Sequence, residues 1–303
     1  MMSNHDVDMY NERGYLNMLR RILEHGTYRK PDNEEGRYEL FAQPLKFDLT
    51  DNKLPLLTTK KVLFKSLAVE MLWFISGSTN IKFLKEHNVK IWDLWANADG
   101  EVGPLYGYQW RHWRIDQSLP DMIMRKYKNK DEIDQLAEVM NTLAVRPEAR
   151  SHMITAWRPD HLEAMSIKPC HILLQFYRVN QDVSLALYQR SCDAFLGVPF
   201  NIAQYSLLTH MVAHQLGCRA KEFTWIGGDV HIYENHKEQV TKQLEYPILE
   251  APVISFRRKP ASIFEYSYED LILGNYQHGD FLKGDVSPQG QPGCGIDIAK
   301  FNQ

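Results

Sequence analysis

One strand-turn-strand pattern constrains this chain more than any other stretch. Ile172 to Val179 alternates apolar and polar residues, Asn180-Gln181-Asp182 supplies a polar turn, and a returning strand ends in Tyr188-Gln189-Arg190-Ser191. A hairpin of this kind sets Cys170, in Lys168-Pro169-Cys170-His171, beside Arg190 at the same end. The thiolate is the nucleophilic form of cysteine, and an adjacent guanidinium lowers the thiol pKa while offering a fork to an anionic substrate. A single cysteine is more often plain buried filling. The Pro-Cys-His setting, with an arginine at the returning strand end, turns the reading towards a nucleophile. Asp193 to Asn201 then follows as a turn-rich connection carrying further polar side chains.

A chain of 303 residues without a Pro/Ser/Gly-rich linker reads as one domain with a sizeable core. Its 35 basic and 38 acidic residues nearly balance, which argues against a general nucleic-acid or membrane surface. Cys170, Cys192, Cys218 and Cys294 form no CxxC pair, so neither a disulfide framework nor a metal site is expected. The polar amino terminus and the lack of a long apolar run make a reducing, cytoplasmic setting the expectation.

Elsewhere the pattern predicts a helix over Tyr15 to Gly26, a loop from Thr27 to Gly36 and a strand from Tyr38 to Leu49. Ser66 reads as the N-cap of a helix that is apolar almost all round from Leu67 to Ile75 and stops at Gly77. Glu70 is its one carboxylate. Burial there implies a raised pKa and a role as proton carrier. Trp92, Trp95, Tyr106, Tyr108, Trp110 and Trp113 crowd together, as core packing or as a grip for a planar ligand. Gln117 to Asn129 reads as a surface insertion before a helix from about Asp131 to Leu143, and Ile202 to Leu216 as a strong helix closed by Gly217. A strand around Phe223 to Ile226 leads to Gly227-Gly228, whose glycines suggest a close backbone approach or a bulge. His231 and Tyr233 share a face beyond them.

These stretches together resemble the thymidylate synthase family. The resemblance runs from the first helix to about Tyr276, through Leu56-Leu57-Thr58-Thr59-Lys60, Glu70-Met71-Leu72-Trp73-Phe74, Ile91-Trp92-Asp93 and Gly103-Pro104-Leu105-Tyr106-Gly107. It continues through Pro169-Cys170-His171, Tyr188 to Asp193, Leu196 to Asn201 and Gly228 to Tyr233. It implies an α/β (α+β type) fold: a mixed, twisted sheet with helices on one face and the other face packed in a homodimer. It also implies methylation of dUMP at C5, with 5,10-methylenetetrahydrofolate as co-substrate and no metal.

By the same resemblance, Cys170 adds to C6 of uracil, Arg190 and Ser191 hold the phosphate, and Asn201 reads the uracil edge. Glu70 moves protons on the O4 and folate side, and Tyr106 helps remove the C5 proton. His231 and Tyr233 hold the sugar 3'-hydroxyl. Asp193, Trp92, Lys60 and Gly197 fall on the folate side, with Lys60 meeting the glutamate tail. Arg150 matches an arginine donated across the dimer to the partner's phosphate. Neither membrane nor DNA is an expected partner.

Three departures stand out. Asp32 takes the place of a phosphate-binding arginine, with Arg29, Lys30 or Arg37 as substitutes, and Ser151 takes the place of a second partner-chain arginine. A charge-assisted hydrogen bond is worth roughly 1.5–3 kcal/mol, so weaker nucleotide affinity or another anchor is expected. Residues 287–303 extend past the family's short closing tail. A rebuilt tail that admits water would give 5-hydroxymethyl-dUMP instead of dTMP. A non-catalytic nucleotide- or RNA-binding member is the third reading.

Overall fold

The computed structural model describes residues 9–31, 35–127 and 130–285. Asp32 and the extension 287–303 lie outside the described residues.

The helices that frame the sheet and the site are α1 (Asn11–His25), α2 (Phe64–Ser76), α3 (Tyr106–Arg111), α4 (Gln135–Val145), α5 (Gly197–Leu216) and α6 (Lys237–Gln243). Strands β1 (Thr27–Arg29), β2 (Arg37–Asp48), β3 (Met153–Thr155), β4 (His171–Val179), β5 (Asp182–Asp193) and β6 (Arg219–Tyr233) form one six-stranded sheet in the order β1-β2-β6-β5-β4-β3. Neighbours are antiparallel except β5 and β6, which are parallel and joined by α5. The sheet is therefore mixed, as expected.

The β4–β5 hairpin matches its sequence pattern, turning at Asn180, whose φ of 54° is the left-handed conformation that asparagine tolerates. Its alternation sends Leu174, Phe176, Val183, Leu185 and Leu187 into the core, where α5 packs across β5 and β6. The opposite face carries exposed Tyr177 and Val179 and half-buried Ala186 and Tyr188.

Strand β1 falls in the stretch expected to be a loop, and four helix starts differ from the sequence pattern, each for a local reason. Helix α1 begins at Asn11, in a polar turn that apolar periodicity misses. Glu12 ties that turn down by accepting hydrogen bonds from the backbone N–H groups and hydroxyls of Thr58 and Thr59, at 2.6–2.9 Å. Helix α2 begins two residues before Ser66, with Leu63 at the N-cap and no side-chain cap, so Ser66 lies inside its first turn. Helix α4 starts at Gln135, where Asp134 caps it by accepting from the Ala137 N–H at 2.9 Å. Helix α5 starts at Gly197 within the stretch expected to be turns, because Pro199 falls in the first turn, where no backbone donor is needed. Asn201 is thus a helical residue.

Strand β6 runs unbroken through Gly227 and Gly228. A Cβ on Gly227 would come within 2.3 Å of Cη2 of Trp225, and one on Gly228 within 2.9 Å of the Arg190 carbonyl oxygen. The glycines admit a folded-over indole and the neighbouring strand, which is the close approach their pairing suggested.

Candidate active site

The corner holding Cys170 is built by the hairpin. Arg190 N–H donates to the Cys170 carbonyl at 2.9 Å, so the two residues lie side by side at the sheet's end. The Arg190 guanidinium turns back over the same segment, with Nε donating to the Pro169 carbonyl at 3.0 Å and Nη2 to that of Lys168 at 2.7 Å. Tyr106, at the start of α3, completes the corner: its Oη accepts from the Cys170 N–H at 3.0 Å, and its ring stacks on His171 at 5.0 Å. Burial pushes the Cys170 thiol up, and Arg190 and the Tyr106 hydrogen bond oppose it without prevailing. The expected lowering by arginine is therefore corrected, because desolvation of the thiolate outweighs one partly engaged guanidinium. Burial also holds Tyr106 well above the usual phenol value and carries His171 down to about 4, so that imidazole is neutral.

Glu70 sits at the centre of α2 with 8 % of its surface exposed. Trp92 Nε1 donates to one carboxylate oxygen at 2.5 Å and Gln204 Nε2 to the other at 2.7 Å. Burial raises its pKa to about 7, against both hydrogen bonds. The isolated carboxylate on an apolar helix is thus a group poised to exchange protons near neutrality. Trp92, which the resemblance puts on the folate side, faces Glu70 through its N–H and packs by its ring against Trp73, Trp95 and Tyr106.

The orientation of Asn201 is set from behind. Trp225 Nε1 donates to Gln189 Oε1 at 2.9 Å, and Gln189 Nε2 donates to Asn201 Oδ1 at 2.9 Å. An indole N–H can only donate, so it dictates which end of Gln189 is oxygen, and Gln189 in turn dictates Asn201. The Asn201 side chain also interacts with His171, behind Tyr106.

The far rim comes from the ends of β5 and β6, where Ser191 pairs with Asp229 and Asp193 with His231 in register. His231 Nδ1 lies 2.9 Å from Asp229 Oδ1, and its ring is 4.9 Å from that of Tyr233. Burial pushes Asp229 up, but the hydrogen bond from His231 and the nearby Arg37 and Arg29 hold it below the usual value. Both of those arginines are ion-paired with Glu39, at 2.8 Å for Arg29 and 3.0 Å for Arg37. Asp193 Oδ1 accepts from the backbone N–H groups of Phe195 and Leu196, each at 3.0 Å. A Cβ on Gly197 would lie 3.7 Å from Asn201 Oδ1 and 3.8 Å from the Asp193 Cβ, ordinary contact distances that a small side chain fits.

Two of the expected site residues lie away from the corner around Cys170. Lys60 is 5 % exposed, and its ammonium donates to the Phe195 carbonyl at 2.5 Å above the Phe195 ring. Burial lowers its pKa to about 7, partly offset by Asp193. Its side chain points inwards. Arg150 is exposed, and its carbonyl accepts from Gln175, five positions along β4 from Cys170, or about 16 Å at the usual rise. The structure does not bring it to the Cys170 of its own chain.

The thymidylate synthase family model matches residues 13–288, most of the chain. The chain belongs to the thymidylate synthase family. Family membership makes it a folate-dependent transferase, of the kind that methylates dUMP or carries out a related hydroxymethylation, with methylenetetrahydrofolate as the family's co-substrate. Among the described residues no helix is long and apolar enough to cross a membrane, and no group of three His, Cys, Asp or Glu side chains could hold a metal ion. Gln189, Gln204 and Trp225 went unnoticed in the sequence. Helical spacing from Asn201 to Gln204 was the available signal.

Proposed function

We propose that this thymidylate synthase family member transfers a one-carbon unit from 5,10-methylenetetrahydrofolate to C5 of dUMP, giving dTMP and dihydrofolate. The observation that carries the reading is the enclosure of Cys170, Arg190, Tyr106 and the near-neutral carboxyl of Glu70 in one corner. C5 of uracil is a poor nucleophile until a thiolate adds to C6 and turns the ring into an enolate. Arg190 favours that thiolate and meets the nucleotide phosphate with Ser191. Glu70 exchanges protons with O4, and the neutral Tyr106 oxygen beside Cys170 serves removal of the C5 proton.

The Asn201 NH₂ donates to O4 while its oxygen accepts from N3–H, a pattern that uracil matches and cytosine reverses. His231 and Tyr233 take the sugar 3'-hydroxyl. Asp193, whose Oδ1 accepts from the Phe195 and Leu196 N–H groups, has a further carboxylate oxygen for the ring N–H groups of a flat heterocycle such as the folate pterin. When bound there, the folate supplies the carbon and the reducing hydride.

Arg150 reaches the phosphate of a second copy across the apolar sheet face that bears Tyr177 and Val179, making the working form a homodimer. Free Cys170, Cys192 and Cys218 suit a reducing cytoplasm.

Incubating the protein with dUMP and methylenetetrahydrofolate, identifying the nucleotide by mass and following dihydrofolate tests the reading. Methylated product with equal dihydrofolate is expected. Hydroxymethylated product without dihydrofolate would make it a hydroxymethylase, and tight nucleotide binding with no product would make it a binding protein. Mixed dimers of Arg150→Ala and Cys170→Ala chains should regain one competent site. Absence of complementation would remove Arg150 from the partner's site.

A further inference from the structure

Helix α5 presents Asn201 and Gln204 three residues apart on one face, so the helix that carries the Asn201 amide also reaches Glu70. Gln204 is 0 % exposed. Its Nε2 donates to Glu70 at 2.7 Å, and its own Oε1 has no protein partner among the described residues. Turning the amide over would set that oxygen against a carboxylate oxygen, so the contact with Glu70 decides its orientation. A buried glutamine that uses only one end of its amide is costly unless that one bond matters.

Around the carboxylate stand Trp92, Tyr106 and Tyr205, with His171 and Cys170 behind Tyr106 and Arg190 beyond them. Burial and the two neutral donors set the protonation balance of Glu70, and no cation contributes to it.

We propose that Gln204 is a positioning residue for Glu70: its amide holds the carboxylate in one rotamer and favours the ionised form that can take a proton back from the substrate. This rests on Glu70 being the proton carrier. With Trp92 alone donating, burial keeps the carboxyl protonated through neutral pH, and the return step slows.

The test is a carbon-13 NMR titration of full-length protein labelled at the glutamate carboxyls, with Glu70→Gln assigning the signal. In Gln204→Met, which keeps the length and loses the donor, the Glu70 midpoint should rise by about one pH unit, the scale of one charge-assisted bond. Gln204→Glu, which keeps the shape and adds a like charge, should raise it further. The kcat limb set by Glu70 should move the same way while dUMP affinity stays unchanged. An unmoved midpoint in either folded variant overturns the proposal. Because the titration needs no turnover, inactive wild-type protein would sink the proposed reaction without deciding the role of Gln204.

Discussion

Cys170→Ala will bind dUMP and turn none of it over. Removing a covalent nucleophile elsewhere costs about six orders of magnitude in kcat, and nothing else in this corner can take its place. Cys192 is fully buried, with its Sγ donating to the Gln189 carbonyl at 3.3 Å and its pKa raised well above the usual thiol value by burial, so it is inert. The scaffold survives the change, because alanine keeps the backbone hydrogen bonds of residue 170 to Tyr106 and Arg190, and only the thiol's own contact with Tyr106 is lost. Steady-state turnover and dUMP calorimetry on the same preparation check both halves. Substantial residual activity would end the covalent mechanism.

Asn201→Asp will shift the preference between dUMP and dCMP. Gln189 continues to donate to residue 201, but the NH₂ that would meet O4 is lost, and a carboxyl group offers cytosine what it denies uracil. Polar groups built to match a substrate reject the mismatched one by factors reaching 10⁴–10⁵, so the ratio of kcat/KM values for dUMP and dCMP should fall on the order of 10³-fold or more. Competition assays with both nucleotides measure it directly. An unchanged ratio would take base reading away from Asn201.

Much of this site was legible because its parts follow simple periods. The β4–β5 hairpin alternates at period two, which sets Cys170 next to Arg190, and Glu70 is conspicuous as the one carboxylate in an apolar helix. The thiol shift had the opposite sign because an adjacent charge is visible in a sequence and desolvation is not. Lys60 shows the same blindness: nothing in its local sequence marks it as buried, yet Glu12 pins Thr58 and Thr59 and its side chain enters the core. The start of α5 was hidden by Gly197 and Pro199, which punctuate loops as readily as first helical turns. Gln189 and Trp225 were invisible because their importance lies in a long-range pairing between two strands.

The single parallel seam of the sheet has a consequence for how this protein reaches its working state. Strands β4 and β5 meet through a two-residue turn and can zip early, whereas β5 and β6 meet only after α5 has crossed between them. Ser191 and Asp193 on one side of the seam, and Asp229 and His231 on the other, are brought together by that late, non-local contact. Recovery of nucleotide binding during refolding therefore trails the return of helical signal, and ligand affinity reports closure of the parallel seam.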